Sequence, residues 1–213
     1  MKTAIFDLDG TIADTIYDLA DAVNFGLRRM NLPEHSIEQY KNFVGNGVQL
    51  LCYRALPDDK KSESEKLRSL FSQYYDRHYL DKTKLYHGIK DTMMKLSENG
   101  VKLAVATNKP QNVARQIISK LLPNIDFVKV LGGCDEREKK PDPAIIREIL
   151  SVLPNDNKAF MIGDSNVDIR TAKNSGIASI GCIWGFRSRQ ELVSENADFI
   201  AENAEDISKF ILG

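Results

Sequence analysis

The apolar run Thr3-Ala4-Ile5-Phe6 has the length and composition of a buried strand, yet no comparable strand follows until Val101 to Thr107. Parallel neighbours in a sheet usually need only one crossover connection. A gap of this size therefore calls for a second unit inserted after the first strand, which leaves that strand free to pair with the later ones. From Gly88 onward the chain alternates regularly. A helix from Ile89 to Glu98, stopped by Gly100, leads into the strand Val101 to Thr107, and another helix follows Pro110. The strand Phe127 to Leu131, a helix opening at Asp142-Pro143, the strand Ala159 to Ile162 and a helix ending near Gly176 come next. The strand Ala178 to Ile183 and a short strand Asp198 to Ala201 precede a last helix. This pattern predicts an α/β fold built on a parallel sheet.

In the gap, Ile16, Leu19, Ala20, Val23, Leu27 and Met30 recur at helical spacing, with Asp14 and Thr15 as starting caps and Pro33 beyond the end. The sequence stays helical in pattern to about Leu80, polar and rich in Tyr, Lys and Glu. The expected division is a core of residues 1–13 and 87–213 and a helical unit of residues 14–86. The chain has no internal repeat or low-complexity tract.

At 213 residues, with 42% hydrophobic and 28% charged, the chain has ordinary globular composition. Lys plus Arg number 29 against 30 Asp plus Glu, a net charge of −1, so no global field draws it to nucleic acid or an anionic membrane, and any bound anion needs a local site. Cys52, Cys134 and Cys182 are scattered and form no CxxC pair, and no charged-then-apolar leader precedes the first strand. These features predict a cytoplasmic protein with reduced thiols. The apolar stretches fall short of the ~20 residues that span a bilayer.

The first strand ends in Asp7-Leu8-Asp9-Gly10-Thr11. Gly10 supplies the turn, and both carboxylates reach the carboxyl end of a strand, which faces the ligand crevice in open α/β sheets. Like charges so close call for a cation, and magnesium suits one or two carboxylates together with phosphate oxygens. The competing reading is that Asp7 and Asp9 only cap a turn. Three further strand ends carry polar groups. Thr107-Asn108 offers a hydroxyl, an amide and backbone N–H groups to phosphate oxygens, or else caps the following helix. Lys140, on a loop restricted by Pro141 and just before a helix, suits a phosphate, although a lysine in the run Glu136-Arg137-Glu138-Lys139-Lys140 is ordinarily solvated, as Lys139 is expected to be. Gly163-Asp164-Ser165-Asn166-Val167-Asp168 places two aspartates across a strand-to-helix turn. Asp164 reads as a metal ligand and Asp168 as the orienting partner of Lys140 or of a metal-bound water, with helix capping as the plain alternative for either.

Asp7-x-Asp9-Gly10-Thr11, Thr107, Lys140 and Gly163-Asp164-x-x-x-Asp168, in that order, resemble the motifs of the haloacid dehalogenase superfamily of phosphotransferases, over essentially the whole chain. The insertion resembles that superfamily's small helical cap, on a Rossmann-like core. Val44-Gly45-Asn46-Gly47-Val48 with Arg54-Ala55-Leu56-Pro57, and Trp184-Gly185-Phe186-Arg187-Ser188 followed by Ala197-Asp198, look like its phosphoglycolate phosphatase group. The resemblance implies that Asp7 is a nucleophile forming an aspartyl-phosphate and Asp9 the general acid and then base. It further implies Mg²⁺ on Asp7, the Asp9 carbonyl and Asp164, with Asp168 behind, and phosphate held by Thr107, Asn108 and Lys140.

Substrate choice is expected from the cap, with Asn46 reaching a small substrate from between two glycines, or else forming a plain helix connection. His35, His78 and His87 have no ligand spacing, and Tyr74, Tyr75 and Tyr79 read as a core-facing helical stripe. Trp184 and Phe186 read as core-edge packing.

The expected activity is magnesium-dependent hydrolysis of a small phosphomonoester, with 2-phosphoglycolate the first candidate and a monomer or homodimer as the acting form. Pyrophosphate hydrolysis and sugar phosphate mutation or hydrolysis are the alternatives within the superfamily. Thr11 leans towards hydrolysis, because the mutases that the fold resembles usually carry a bulkier apolar residue there. A regulator that binds a phosphate ligand without turnover would not need Asp7, Asp9, Lys140 and Asp164 together.

Overall fold

The computed structural model describes all residues, Met1–Gly213. In chain order its elements are β1 (Lys2–Phe6), β2 (Ala13–Asp14), α1 (Ile16–Arg29), α2 (Ile37–Phe43), α3 (Val48–Ala55), a 3-10 turn (Asp58–Glu63), α4 (Ser64–His78) and β3 (Lys84–Leu85). There follow α5 (Ile89–Glu98), β4 (Lys102–Pro110), α6 (Gln111–Leu121), β5 (Phe127–Gly133), α7 (Ala144–Leu150), β6 (Lys158–Gly163), α8 (Asn166–Asn174), β7 (Ala178–Cys182), α9 (Arg189–Ser194), β8 (Phe199–Ala201) and α10 (Ala204–Leu212).

Six strands form one parallel sheet in the order β5-β4-β1-β6-β7-β8. The first strand is therefore central, and it pairs with the later strands β4 and β6, as the insertion allows. Its residues divide between two faces: Ala4 and Phe6 join Leu103, Val105, Phe160 and Ile162 in one apolar layer, while Ile5 joins Ala104, Ala106 and Met161 in the other. The first layer is covered by α5, α6 and α10 through Ile89, Met93, Val113, Ile117, Ile207 and Ile211, and the second by α7 and α8 through Ile145, Ile146, Ile149 and Ala172. Chain order reverses between β1 and β6. In sheets of this kind that reversal opens a crevice beyond the strands' carboxyl ends.

Between β2 and β3 the regular structure is all helical, with α1 packed along α4. A Cβ on Gly26 would stand 2.5 Å from Leu67 Cδ1, so a larger residue there would have to displace that buried side chain. The two ends of the helical block leave through a ribbon too short to read in the sequence, with Ala13 paired to Leu85 and Asp14 to Lys84. Asp18, buried at the start of α1, braces this exit by accepting hydrogen bonds from the backbone N–H of Lys82 and Thr83 and from the Thr83 hydroxyl. Helix α9 is also absent from the sequence reading. All three cysteines are free, and no helix is long and apolar enough to cross a membrane.

Candidate active site

The crevice at the β1/β6 reversal collects Asp7 from the end of β1, Thr107 and Asn108 from β4, Lys140 from the loop before α7, Asp164 from the turn between β6 and α8, and Asp168 from the first turn of α8. All six are buried. One carboxylate oxygen from each of Asp7, Asp164 and Asp168 lies within 4.8 Å of the others. Three glycines make this crowding possible. A Cβ on Gly10 would sit 2.3 Å from Asp164 Oδ2, one on Gly185 2.3 Å from Asp164 Cβ, and one on Gly163 2.2 Å from Asp168 Cγ.

Lys140 Nζ donates to Asp168 Oδ1 at 2.7 Å and to the Ala106 carbonyl at 2.8 Å. It faces Asp7 Oδ1 at 3.0 Å as a charge rather than through an aligned N–H, so this buried oxygen has no hydrogen bond. Asp168 Oδ2 accepts from the N–H and hydroxyl of Ser165 at the head of α8. The capping reading of Asp168 and its pairing with Lys140 are both realised, one on each oxygen. Asp164 accepts from the Thr11 hydroxyl at 3.3 Å and from Phe186 N–H at 2.7 Å.

One lysine does not balance three carboxylates. Burial pushes Asp7 up to about 6, with the charges of Asp168 and Asp9 adding to it against Lys140. Burial, then Asp168 and Asp7, hold Asp164 well above the ordinary carboxylate range. Asp168 and Asp7 in turn keep Lys140 raised although burial opposes its charge. A buried carboxylate oxygen with no partner but the Lys140 charge, a cradle kept open by glycines and surplus negative charge fit a small divalent cation.

Asp9 lies outside the triad. Its Oδ1 accepts from the Thr15 hydroxyl at 2.7 Å and from Lys109 Nζ at 2.9 Å. Thr15 is thus spent on Asp9, and its side chain does not cap α1 as the sequence suggested. Lys109, two residues beyond Thr107 and absent from the sequence reading, is only 2% exposed at its side chain and also donates to the Tyr75 hydroxyl at 2.7 Å. Tyr75 belongs to the stripe read as core-facing. It is buried, and its hydroxyl end reaches the site.

The Asn108 amide clasps the Lys140 backbone, accepting from its N–H at 2.9 Å and donating to its carbonyl at 3.0 Å, and also donates to the Gly45 carbonyl in the helical block at 3.1 Å. Asp7, Asp9, Thr107, Asn108 and Lys109 form the floor of a cavity whose roof is Leu19, Val44, Gly45, Gly47, Val48, Leu51 and Tyr75. Asn46 lies between the two roof glycines but is not among the lining residues. About 30 Å³ is free inside, room for a water or two and less than a phosphomonoester occupies. The roof must lift to admit one. Arg187, from the loop after β7, helps hold it down by donating to the carbonyls of Asn42 and Val44 at 3.2 and 3.0 Å.

The family model "Haloacid dehalogenase-like hydrolase" matches residues 4–182. A phosphoglycolate phosphatase of Vibrio parahaemolyticus is 32% identical, over 99% of this chain and 96% of its own. Phosphoglycolate phosphatase 1 of Pseudomonas aeruginosa is 31% identical, over 97% of this chain and 78% of its own. A crystal structure from Lactobacillus delbrueckii subsp. bulgaricus, of a protein provisionally named phosphoglycolate phosphatase, superposes with a TM-score of 0.91 at 34% identity, covering 99% of this chain and 98% of that one.

Proposed function

The chain belongs to the haloacid dehalogenase-like hydrolase family and is a phosphoric monoester hydrolase, and we propose that it is a magnesium-dependent phosphatase working through an aspartyl-phosphate, with 2-phosphoglycolate as first substrate. The observation that carries this reading is Asp7 Oδ1, a buried carboxylate oxygen with no hydrogen bond, beside Lys140 and Asp164 at the crevice of the sheet. The substrate is the one in the names of the relatives.

In this mechanism Asp7 attacks phosphorus, forming an acyl phosphate as the bond to the leaving oxygen breaks. Asp9 gives that oxygen its proton, then accepts one from the water that attacks the same phosphorus and frees Asp7. Thr15 and Lys109 both hold Asp9 by Oδ1, which leaves Oδ2 for this work. Lys140 and the Thr107 hydroxyl, with the N–H that follows it, receive the phosphate oxygens as charge shifts in transfer. Asp7, the Asp9 carbonyl and Asp164 would hold Mg²⁺, with Asp168 behind them fixing Lys140. When bound, the ion supplies charge neutralisation between nucleophile and phosphate. Residues 14–86 act as the cap over the site, and the protein acts in the cytoplasm as a monomer or homodimer.

The test is phosphate release from 2-phosphoglycolate, pyrophosphate and an aryl phosphate, with Mg²⁺ and with excess chelator. Magnesium-dependent release, fastest from 2-phosphoglycolate, is expected. Rapid release from pyrophosphate with none from 2-phosphoglycolate would replace the substrate, and undiminished release in chelator would remove the metal.

A further inference from the structure

The catalytic roles above use Lys109 only through Asp9 and do not use Tyr75, although both line the cavity. The Lys109 ammonium has three N–H bonds. Two are engaged, on Asp9 Oδ1 at 2.9 Å and on the Tyr75 hydroxyl at 2.7 Å. Tyr75 therefore accepts from the lysine, and its own O–H donates to no atom of the chain. Burial raises the phenol to about 12, so that O–H stays in place as a donor. The side chains of Lys109 and Tyr75 thus carry two unspent donors in one enclosed space. Lys140, the site's other buried cation, does not line the cavity; it is bound to Asp168 and Ala106 and faces Asp7.

The rest of the roof is apolar or backbone: Leu19, Val44, Val48, Leu51 and the two glycines. None offers a charged partner to the part of a substrate that lies beyond phosphorus. An unpaired anion set against those aliphatic side chains would lose its hydration without compensation. Any anionic group on the leaving side is therefore directed to Lys109 and Tyr75. Lys109 also touches the carboxylate that addresses the leaving oxygen, so the anion it can reach is one separated from that oxygen by very few bonds.

We propose that Lys109 and Tyr75 form an anion subsite that binds a carboxylate on the leaving group, so that the enzyme selects short phosphorylated hydroxy acids over uncharged esters of the same size. This rests on the phosphatase reading above. It adds that the lysine on β4 and the tyrosine on the cap helix α4 jointly read the substrate, and that both donors are in place only when the roof is down.

The experiment compares 2-phosphoglycolate with ethyl phosphate, in which a methyl group replaces the carboxylate, on the magnesium-loaded wild type, Tyr75→Phe and Lys109→Met. The wild type is expected to prefer 2-phosphoglycolate in kcat/KM. Tyr75→Phe keeps the ring stacked on Phe71, at a centroid distance of 4.8 Å. Loss of one hydrogen bond to a charged group should lower its preference ratio about tenfold, mainly through KM. Lys109→Met should erase the preference. Calorimetry with glycolate gives a readout apart from turnover: weaker binding in both variants is expected.

A wild type that hydrolyses both esters equally, or variants in which both rates fall by the same factor with glycolate binding unchanged, would overturn the subsite while leaving the phosphatase reading intact. Hydrolysis of neither ester by the wild type, with Mg²⁺ present, would overturn both.

Discussion

Lys140 Nζ stands 2.7 Å from Asp168 Oδ1, and the other oxygen of that carboxylate is tied to Ser165 at the head of α8. The lysine is thereby aimed by a helix, and its charge is delivered to Asp7 without depending on substrate.

Lys140→Met should consequently lower kcat by about 10²–10³-fold, the scale for losing one charge-stabilising donor in a dry site. Phosphate-release kinetics measure it. Because three buried carboxylates then lack their cation, the variant should also melt below the parent at neutral pH, and a variant with parental kcat would contradict the role given to Lys140.

Gly163→Ala tests the cradle. The added methyl would meet Asp168 Cγ at 2.2 Å, while the backbone there is in an ordinary conformation, so the effect is steric. Destabilisation of about 1–3 kcal/mol in urea unfolding, together with a lower turnover rate, is expected.

Arg187→Ala should loosen the roof. Two partly exposed hydrogen bonds to the Asn42 and Val44 carbonyls are lost, worth about 1–2 kcal/mol. The expected result is a KM raised by about five- to thirtyfold and faster proteolysis near residues 42–48, both read in parallel on the folded variant.

Asp198 supplies a pH dependence away from the site. Its carboxylate accepts from Ser179 N–H at 2.8 Å and from the Ser179 hydroxyl at 2.7 Å, and these bonds hold it below its ordinary 3.8. A depressed folded value stabilises the fold above the unfolded value of about 3.9 and ceases to do so as pH falls through the folded one. Urea midpoints should place the wild type above Asp198→Asn at pH 7, with the gap narrowing from about pH 4 downward.

Much of this was legible in the residues. Helix α5 has the bounds that Gly88 and Gly100 suggest, and the distance from Phe6 to Val101 forced an insertion, because apolar periodicity and turn residues act locally. The structure brings Asp7, Thr107, Asn108, Lys140, Asp164 and Asp168 together because each lies near the carboxyl end of a strand of one sheet, on the loop that follows, or in the first turn of the next helix. What was not legible depends on contacts between distant elements.

A threonine before a helix usually caps it, but at Thr15 the Asp9 carboxylate competes for the hydroxyl and takes it. Sequence reading misses Lys109 because Thr107-Asn108-Lys109-Pro110 reads as a polar strand-to-helix turn, whereas β4 runs on to Pro110 and buries the lysine against Asp9. Tyr75 shows its limit. Helical spacing gives the face it occupies, but not that its hydroxyl reaches across to β4.

The central claim is that Asp7 carries the phosphoryl group. Rapid-quench mass spectrometry of the magnesium-loaded enzyme mixed with 2-phosphoglycolate tests it most directly. The expected result is a transient gain of one phosphoryl group on the peptide containing Asp7, prolonged in Asp9→Asn and absent in Asp7→Asn. Steady turnover with no such adduct at any quench time, or full activity in Asp7→Asn, would contradict it.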